Sequence, residues 1–295
     1  MKRIKVVLGG GLGNQLFQYA TYLYLSKSYP DIKIGLDMFQ YKYDQYHNGI
    51  EYHKIFFCDN QDDIRKIECF RKKNKISKKY PSLLHVISNK VLGYKTFYDD
   101  SINTPIKLNK VLLKYNKCIF AGFYQNPYFV EEIESFLRAR YKKEQNLGLK
   151  NENLLANIKN RTSVCLHIRR GDYVNISKYD VFNGLLYYDN AIKYFNELNS
   201  NIIFVVFSND IDWVKNNLII NNDVIYVDWN NHEDSYKDMI LMSKCTHNII
   251  ANSSFSWWGA WLNENIDKIV IAPRFWFKGV KSTNIVPSSW KIIDC

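Results

Sequence analysis

From residue 164 to residue 272 short apolar runs alternate with amphipathic stretches, and nothing else in the 295 residues restricts the fold so strongly. The pattern predicts strands at Val164–Ile168, Ile202–Phe207, Val224–Val227, Asn248–Ala251 and Ile269–Ala272. Helical spacing predicts helices at Tyr187–Leu198, Asp212–Leu218, Asp234–Lys244 and Ser256–Glu264 between them. Strands buried on both faces read as continuous apolar runs, and each helix carries the chain back to start the next parallel strand. The expected class is therefore α/β, a parallel sheet covered by helices, with ligands taken up outside the carboxyl ends of the strands.

The first half begins in the same way. A β-branched strand at Ile4–Leu8 runs into Gly9-Gly10-Gly11-Leu12-Gly13, and Asn14-Gln15 opens a helix whose Leu16, Phe17, Ala20, Leu23 and Tyr24 recur at helical spacing. Residues 40–120 give a weaker signal: a helix near Leu83–Val91 and a strand near Lys117–Ala121. Pro127–Arg140 reads as one helix. The polar stretch 142–153 reads as a linker, dividing the chain into domains of residues 1–150 and 151–295.

Charge narrows the function classes. The formal net charge is +11, and eight of the basic residues crowd into Arg65–Lys79 against the single acid Glu68. Such a run suits a solvated face or contact with an anionic membrane, where each Lys or Arg contributes on the order of 1 kcal/mol. The run lacks the aromatic interleaving of nucleic-acid modules, so no nucleic-acid partner is expected. The six cysteines have no CxxC spacing, which argues against zinc knuckles and redox motifs and fits a reducing compartment. With no signal peptide at Met1-Lys2-Arg3 and no apolar run of spanning length, the expected location is cytoplasmic, peripheral at most to the inner membrane face.

Four short segments carry chemistry. His167-Ile168-Arg169-Arg170-Gly171-Asp172-Tyr173 follows an apolar strand and places two permanent cations at its carboxyl end. Arg meets phosphate with a planar two-pronged donor that Lys lacks. Strand alternation puts His167 and Arg169 on one side and Arg170 on the other, so that one arginine meets phosphate and the other braces the loop through Asp172. Asn252-Ser253-Ser254-Phe255-Ser256-Trp257-Trp258 opens a helix, where hydroxyls, free N–H groups and the helix dipole form an anion site; the plain alternative is an N-cap before an aromatic core helix. Gly9–Gly13 fails the dinucleotide fingerprint, because Asn14 stands at its final glycine, but it lets a ligand approach the backbone at a helix start. Asp210-Ile211-Asp212 either holds a divalent metal or caps the next helix; the cap is preferred, since the arginines already supply positive charge.

These segments together resemble the inverting α-1,2-fucosyltransferases of bacteria and animals. The resemblance rests on Gly10–Ala20, His167–Val174, Phe207–Trp213 and Ile249–Leu262, with Gly122-Phe123-Tyr124-Gln125 as a weaker element, in the family's order. It implies a GT-B-like fold, two Rossmann-like domains whose parallel sheets face a central cleft: residues 1–150 on the acceptor side and 151–295 binding the GDP-sugar. It implies GDP-β-L-fucose as donor, a terminal galactose as acceptor, and no metal or other cofactor. By matching positions, Arg169 and Arg170 hold the pyrophosphate, His167 and Asp228 meet the guanine, and Ser253, Ser254 and Phe255 meet phosphate or fucose. Gly11, Asn14, Gln15, Tyr124 and Gln125 fall to the acceptor or cleft. Asp172 is the nearest carboxylate for a general base, because Ser177 stands where α-1,6 relatives carry a Glu. A lipid-linked polysaccharide repeat unit would suit the basic run as acceptor. The alternatives are another GDP-sugar or another linkage, and, outside enzymes, a carbohydrate-binding module.

Overall fold

The computed structural model describes residues 2–43, 47–73, 81–98, 104–170, 177, 181–182, 185–198 and 201–294. Asp172 and residues 74–80 of the basic run lie outside them. The chain forms two compact units, Met1–Lys143 and Glu144–Cys295.

The first unit is built on a parallel sheet of four strands, β1 (Arg3–Val7), β2 (Lys33–Asp37), β3 (Lys95–Tyr98) and β4 (Lys117–Ala121), in the order β2-β1-β4-β3. Helix Leu12–Ser28 packs Leu16, Phe17 and Ala20, all fully buried, beside the buried Ile4 and Val6 of β1. Burying a Leu or Phe side chain contributes roughly 1.5–3 kcal/mol, so this stripe anchors the unit. The helix starts at Leu12 with Gly11 as its N-cap, ahead of the start expected at Asn14. Gly10 makes the turn possible: its φ of +79° is left-handed, and a Cβ there would lie 3.0 Å from the Asn14 side chain. The single helix expected at Pro127–Arg140 is two, Pro127–Glu131 and Glu134–Arg140. Asn126 caps the first, and Ile133 leaves helical geometry with its side chain buried. β2 and β3 escape the sequence pattern because Lys33, Gly35, Asp37 and Lys95 interrupt their apolar residues.

The second unit carries a parallel sheet of six strands: β5 (Thr162–Ile168), β6 (Ile202–Ser208), β7 (Asp223–Val227), β8 (His247–Ile249), β9 (Val270–Pro273) and β12 (Lys291–Ile293). A hairpin of β10 (Phe275–Phe277) and β11 (Val280–Lys281) precedes the last of them. The order β7-β6-β5-β8-β9-β12 is the 3-2-1-4-5-6 arrangement of dinucleotide-binding sheets. One face packs Val164, Leu166, Ile168, Phe204 and Val206 against Tyr187, Tyr188, Ala191 and Phe195 of helix Leu186–Leu198. All five expected strands and four helices are present, with shifted ends, but Ile269–Ala272 is not the last strand: β12 pairs beside β9. The stretch 142–153 is a connection only in its first half, because helix Leu149–Ile158 begins behind Gly148, whose φ of +88° turns the chain.

Candidate functional site

In a parallel α/β sheet the ligand crevice opens where the strand order reverses direction, between two strands whose following connections leave to opposite faces. In the second unit this point lies between β5 and β8. His167 stands one residue before the end of β5, and Ser253 follows β8. The two motifs that stand far apart in the sequence are thus neighbours, and the His167 and Phe255 ring centroids are 6.0 Å apart.

His167 is 4% exposed and its Nδ1 is buried with no hydrogen-bond partner among the described residues. Burial, reinforced by the Arg169 charge, lowers its pKa to about 3. The ring is therefore neutral at physiological pH, one nitrogen a donor and the other an acceptor. A buried unpaired imidazole nitrogen costs free energy that a ligand hydrogen bond would recover.

The two arginines have different surroundings. Arg169 acts on His167 through its charge. Arg170 turns toward β6: its backbone N–H donates to Asn209 Oδ1 at 2.9 Å, its Nε donates to Asp210 Oδ2 at 3.3 Å, and its guanidinium lies 3.6 Å over the Trp213 ring. The described brace of the loop therefore runs through Asp210. Asp210 Oδ1 also accepts from the Trp213 N–H at 3.3 Å, capping helix Ile211–Asn217 as preferred over the metal reading.

The Ser253 hydroxyl accepts from the Phe255 N–H at 3.3 Å and caps helix Ser254–Leu262. The Ser256 hydroxyl donates to the Ser253 carbonyl, and Trp257, Trp258 and Trp261 are buried. The aromatic block is core, as the plain reading has it. Ser254 and Phe255 remain half-buried, and the Ser254 hydroxyl has no partner among the described residues.

Asp228, expected at the guanine, is exposed and pairs with Lys215 at 3.6 Å. The residue that sequence reasoning missed is Asp238, in the first turn of helix Tyr236–Lys244. Asn230 donates to its Oδ1 at 2.8 Å, and burial raises its pKa to about 7. Asp238 lies within electrostatic reach of Cys165, two residues before His167 on the same side of β5. Its sequence signal was an acid leading the apolar run Met239–Met242, and the structure leaves it half-buried. Asn230 also exchanges hydrogen bonds with Asn151, which accepts from Trp229 Nε1 at 2.7 Å.

In the first unit β1 and β4 are neighbours at the middle of the sheet, and the helices that follow them pack together through Tyr24, Tyr128 and Phe129. Here the glycine-rich loop meets Gly122–Gln125, the weaker element of the sequence. Gln18, fully buried, accepts from the Gly9 N–H at 2.8 Å and donates to the Gly122 carbonyl at 2.7 Å. Gln125 Nε2 donates to Asn14 Oδ1 at 2.8 Å. Gln15 is buried: it donates to the Gly10 and Gly49 carbonyls and accepts from the Glu51 and Tyr52 N–H groups, so it shapes the loop from beneath. Tyr124 is 1% exposed with φ +51°, a conformation costing roughly 1–2 kcal/mol for a residue with a Cβ. Among the described residues no helix is long and apolar enough to cross a membrane.

Comparison with known proteins agrees with this geometry. The sequence pattern of glycosyl transferase family 11 matches residues 3–292. An α-1,2-colitosyltransferase of Escherichia coli is 36% identical over 300 residues, 97% of each chain. The O-antigen biosynthesis glycosyltransferase WbnK of Escherichia coli is 32% identical over 312 residues, 96% of this chain and 98% of that one. Among solved structures, the α-1,6-fucosyltransferase NodZ co-crystallised with GDP superposes with a TM-score of 0.53 at 14% identity, over 88% of this chain and 92% of that one. That likeness identifies the fold as GT-B.

Proposed function

The chain belongs to glycosyl transferase family 11, and on that footing we propose that it moves L-fucose from GDP-β-L-fucose to the 2-hydroxyl of a terminal galactose, with inversion and without a metal. One observation carries the donor assignment: the neutral His167 and the Ser253-capped helix start meet at the reversal point of a nucleotide-type sheet, with Arg169 beside them. A helix start and a guanidinium suit a pyrophosphate. An imidazole that never charges at neutral pH, together with an acid, suits guanine. Asp238 is the better acid for that role than Asp228, because it is half-buried and its carboxylate can accept from both N–H groups on the guanine edge, whereas Asp228 is exposed and paired with Lys215.

In the proposed reaction the acceptor hydroxyl attacks the anomeric carbon as the GDP β-phosphate leaves from the other face. The sugar passes through an oxocarbenium-like state, as at glycosidase centres. Charge builds on the leaving phosphate, where Arg169, Ser254 and the N–H groups of the helix start stabilise it. Each such preorganised donor is worth about 3–4 kcal/mol. Arg170 holds the loop in place from its Asp210 and Trp213 contacts. Asp172 is the proposed base. The Asn14–Gln125 pair is the proposed acceptor contact of the first unit, with the buried Tyr124 shaping the loop beneath it, and the acceptor is a galactose-ended glycan that is lipid-linked in our reading.

A second reading keeps the GDP but changes the sugar. It is favoured by the named colitosyltransferase at 36% identity. Purified protein offered GDP-fucose or GDP-colitose with lactose, followed by NMR of the product linkage, decides between them. Turnover of neither donor, or a linkage other than α-1,2, would overturn the proposal.

A further inference from the structure

The first sheet begins with a row of cations. Lys33 of β2, Arg3 of β1 and Lys117 of β4 are register partners, side by side on one face at the amino ends of their strands. Like charges directly across a strand pair are destabilising. Lys117 is partly relieved, donating to the Leu92 carbonyl at 2.8 Å. Arg3 and Lys33 are exposed, and neither side chain has a hydrogen bond or ion pair among the described residues.

The same face holds a cavity of about 590 Å³, lined in part by Arg3, Lys5, Lys33, Gly35, Phe39 and Tyr94. Its floor is the β1–β2 pair, and Gly35 keeps it open: a Cβ there would meet nothing within 4 Å. Its walls are fixed. His85 Nε2 bonds Asp37 at 2.8 Å and stacks on Phe39 with centroids 4.1 Å apart. Lys5 donates to Asn89 Oδ1 at 2.7 Å and sits 4.6 Å over the Tyr94 ring. With Lys42, Lys66, Asp37 and Asp63 the charged lining carries five cations against two anions, leaving His85 aside.

A roomy recess whose lining includes two cations without an acid partner among the described residues, Arg3 and Lys33, beside a Lys5 that lies 4.0 Å from Asp37, selects an anion. We propose that this face of the first sheet binds a phosphate-bearing ligand, held by Arg3 and Lys33 with Lys5 behind them. The cation row lies at the strands' amino ends, the cavity runs from there along β2 to Asp37 and Phe39, and the reading is independent of the donor assignment. The phosphate belongs either to a soluble compound or to a lipid headgroup, and both present the same oxygens to the same cations.

The test uses the full chain, isotopically labelled for NMR, titrated with inorganic pyrophosphate with and without saturating GDP. The proposal expects amide shifts at Lys5, Ile34 and Gly35 that persist with GDP present. Arg3→Ala with Lys33→Ala should weaken them at least tenfold, whereas Lys150→Ala with Lys159→Ala, which removes equal charge from the second unit, should not. The double variant should also melt no lower than the parent, because it removes repulsion. Sedimentation with phosphatidylcholine vesicles, with or without phosphatidylglycerol, separates the sources. Binding that needs phosphatidylglycerol and fails in the double variant assigns a headgroup, and pyrophosphate binding without vesicle binding assigns a soluble phosphate. No shift at Lys5 and Gly35 together with no vesicle binding, or equal weakening by both double variants, overturns the proposal.

Discussion

Arg170 and Asp210 share one carboxylate between two tasks: one oxygen accepts from the arginine Nε at 3.3 Å, and the other closes the start of helix Ile211–Asn217. The loop after β5 is thereby tied to the loop after β6. Arg170→Lys keeps the charge but loses the planar stack on Trp213. Turnover should fall at least tenfold, with little loss of melting temperature. Asp210→Asn should keep the cap and lose the ion pair, whereas Asp210→Ala should lose both and about 1 kcal/mol of stability as well. Near-normal turnover of Arg170→Lys would remove Arg170 from the site.

The proposed reaction assigns Arg169 to the leaving phosphate. Arg169→Lys should lower kcat about 10²–10³-fold, the usual cost of one oxyanion donor. Steady-state kinetics separate this from binding: an effect confined to KM would assign the residue to ground-state recognition.

Asp238 makes pH informative. Burial raises its pKa to about 7, so the folded protein holds a proton that the unfolded chain releases near pH 4. The sign follows: between pH 4 and pH 7 the folded state binds more protons, so this group's contribution to stability declines as pH rises and is lost above pH 7. Asp238→Asn should therefore gain stability relative to the parent as pH rises through that window, measured by denaturant titration. If the carboxylate accepts from guanine, GDP affinity of the parent should fall as pH drops below 7, and the variant should bind GDP weakly at every pH. A parent whose GDP affinity is flat from pH 5 to 8 rules out the guanine contact.

Gly10 tests the glycine-rich loop. Its left-handed φ and the 3.0 Å approach to Asn14 predict that Gly10→Ala costs about 1–2 kcal/mol. GDP affinity, assigned to the second unit, should stay within twofold. A tenfold loss would place the loop at the donor instead.

Chelation addresses the metal. With the Arg169 and helix-start reading, activity should be unchanged by EDTA. Activity lost to EDTA and restored by Mn²⁺ would return Asp212 and its neighbours to the metal reading.

The central strands of the second unit were legible from apolar runs such as Ile202–Phe207, which a doubly covered sheet uses, whereas the short β12, Lys291–Ile293, was not. The motifs were legible as chemistry but not as neighbours. That His167 meets Phe255 and Gln125 meets Asn14 follows from strand order, which no local window contains. The same reason hid Asp210 as the partner of Arg170: they are close because β5 and β6 pair in register, His167 beside Phe207. β2 and β3 hid because a half-open strand with Lys and Gly has no alternation to read. Asp238 hid because a half-buried acid looks like any helical acid until its surroundings are known.

In both units the paired loops follow the first and fourth strands, at the middle of the sheet. Strands at the margins, β3 and β12 among them, touch neither loop pair through the ladder. Fraying that begins at an edge would therefore leave ligand contacts standing until the central strands part. Hydrogen exchange should read this as two tiers: marginal amides opening often and indifferent to GDP, and amides of β5 and β8 opening only with the whole second unit and slowed further when nucleotide is present. The protein can lose its borders for a moment without losing its cargo.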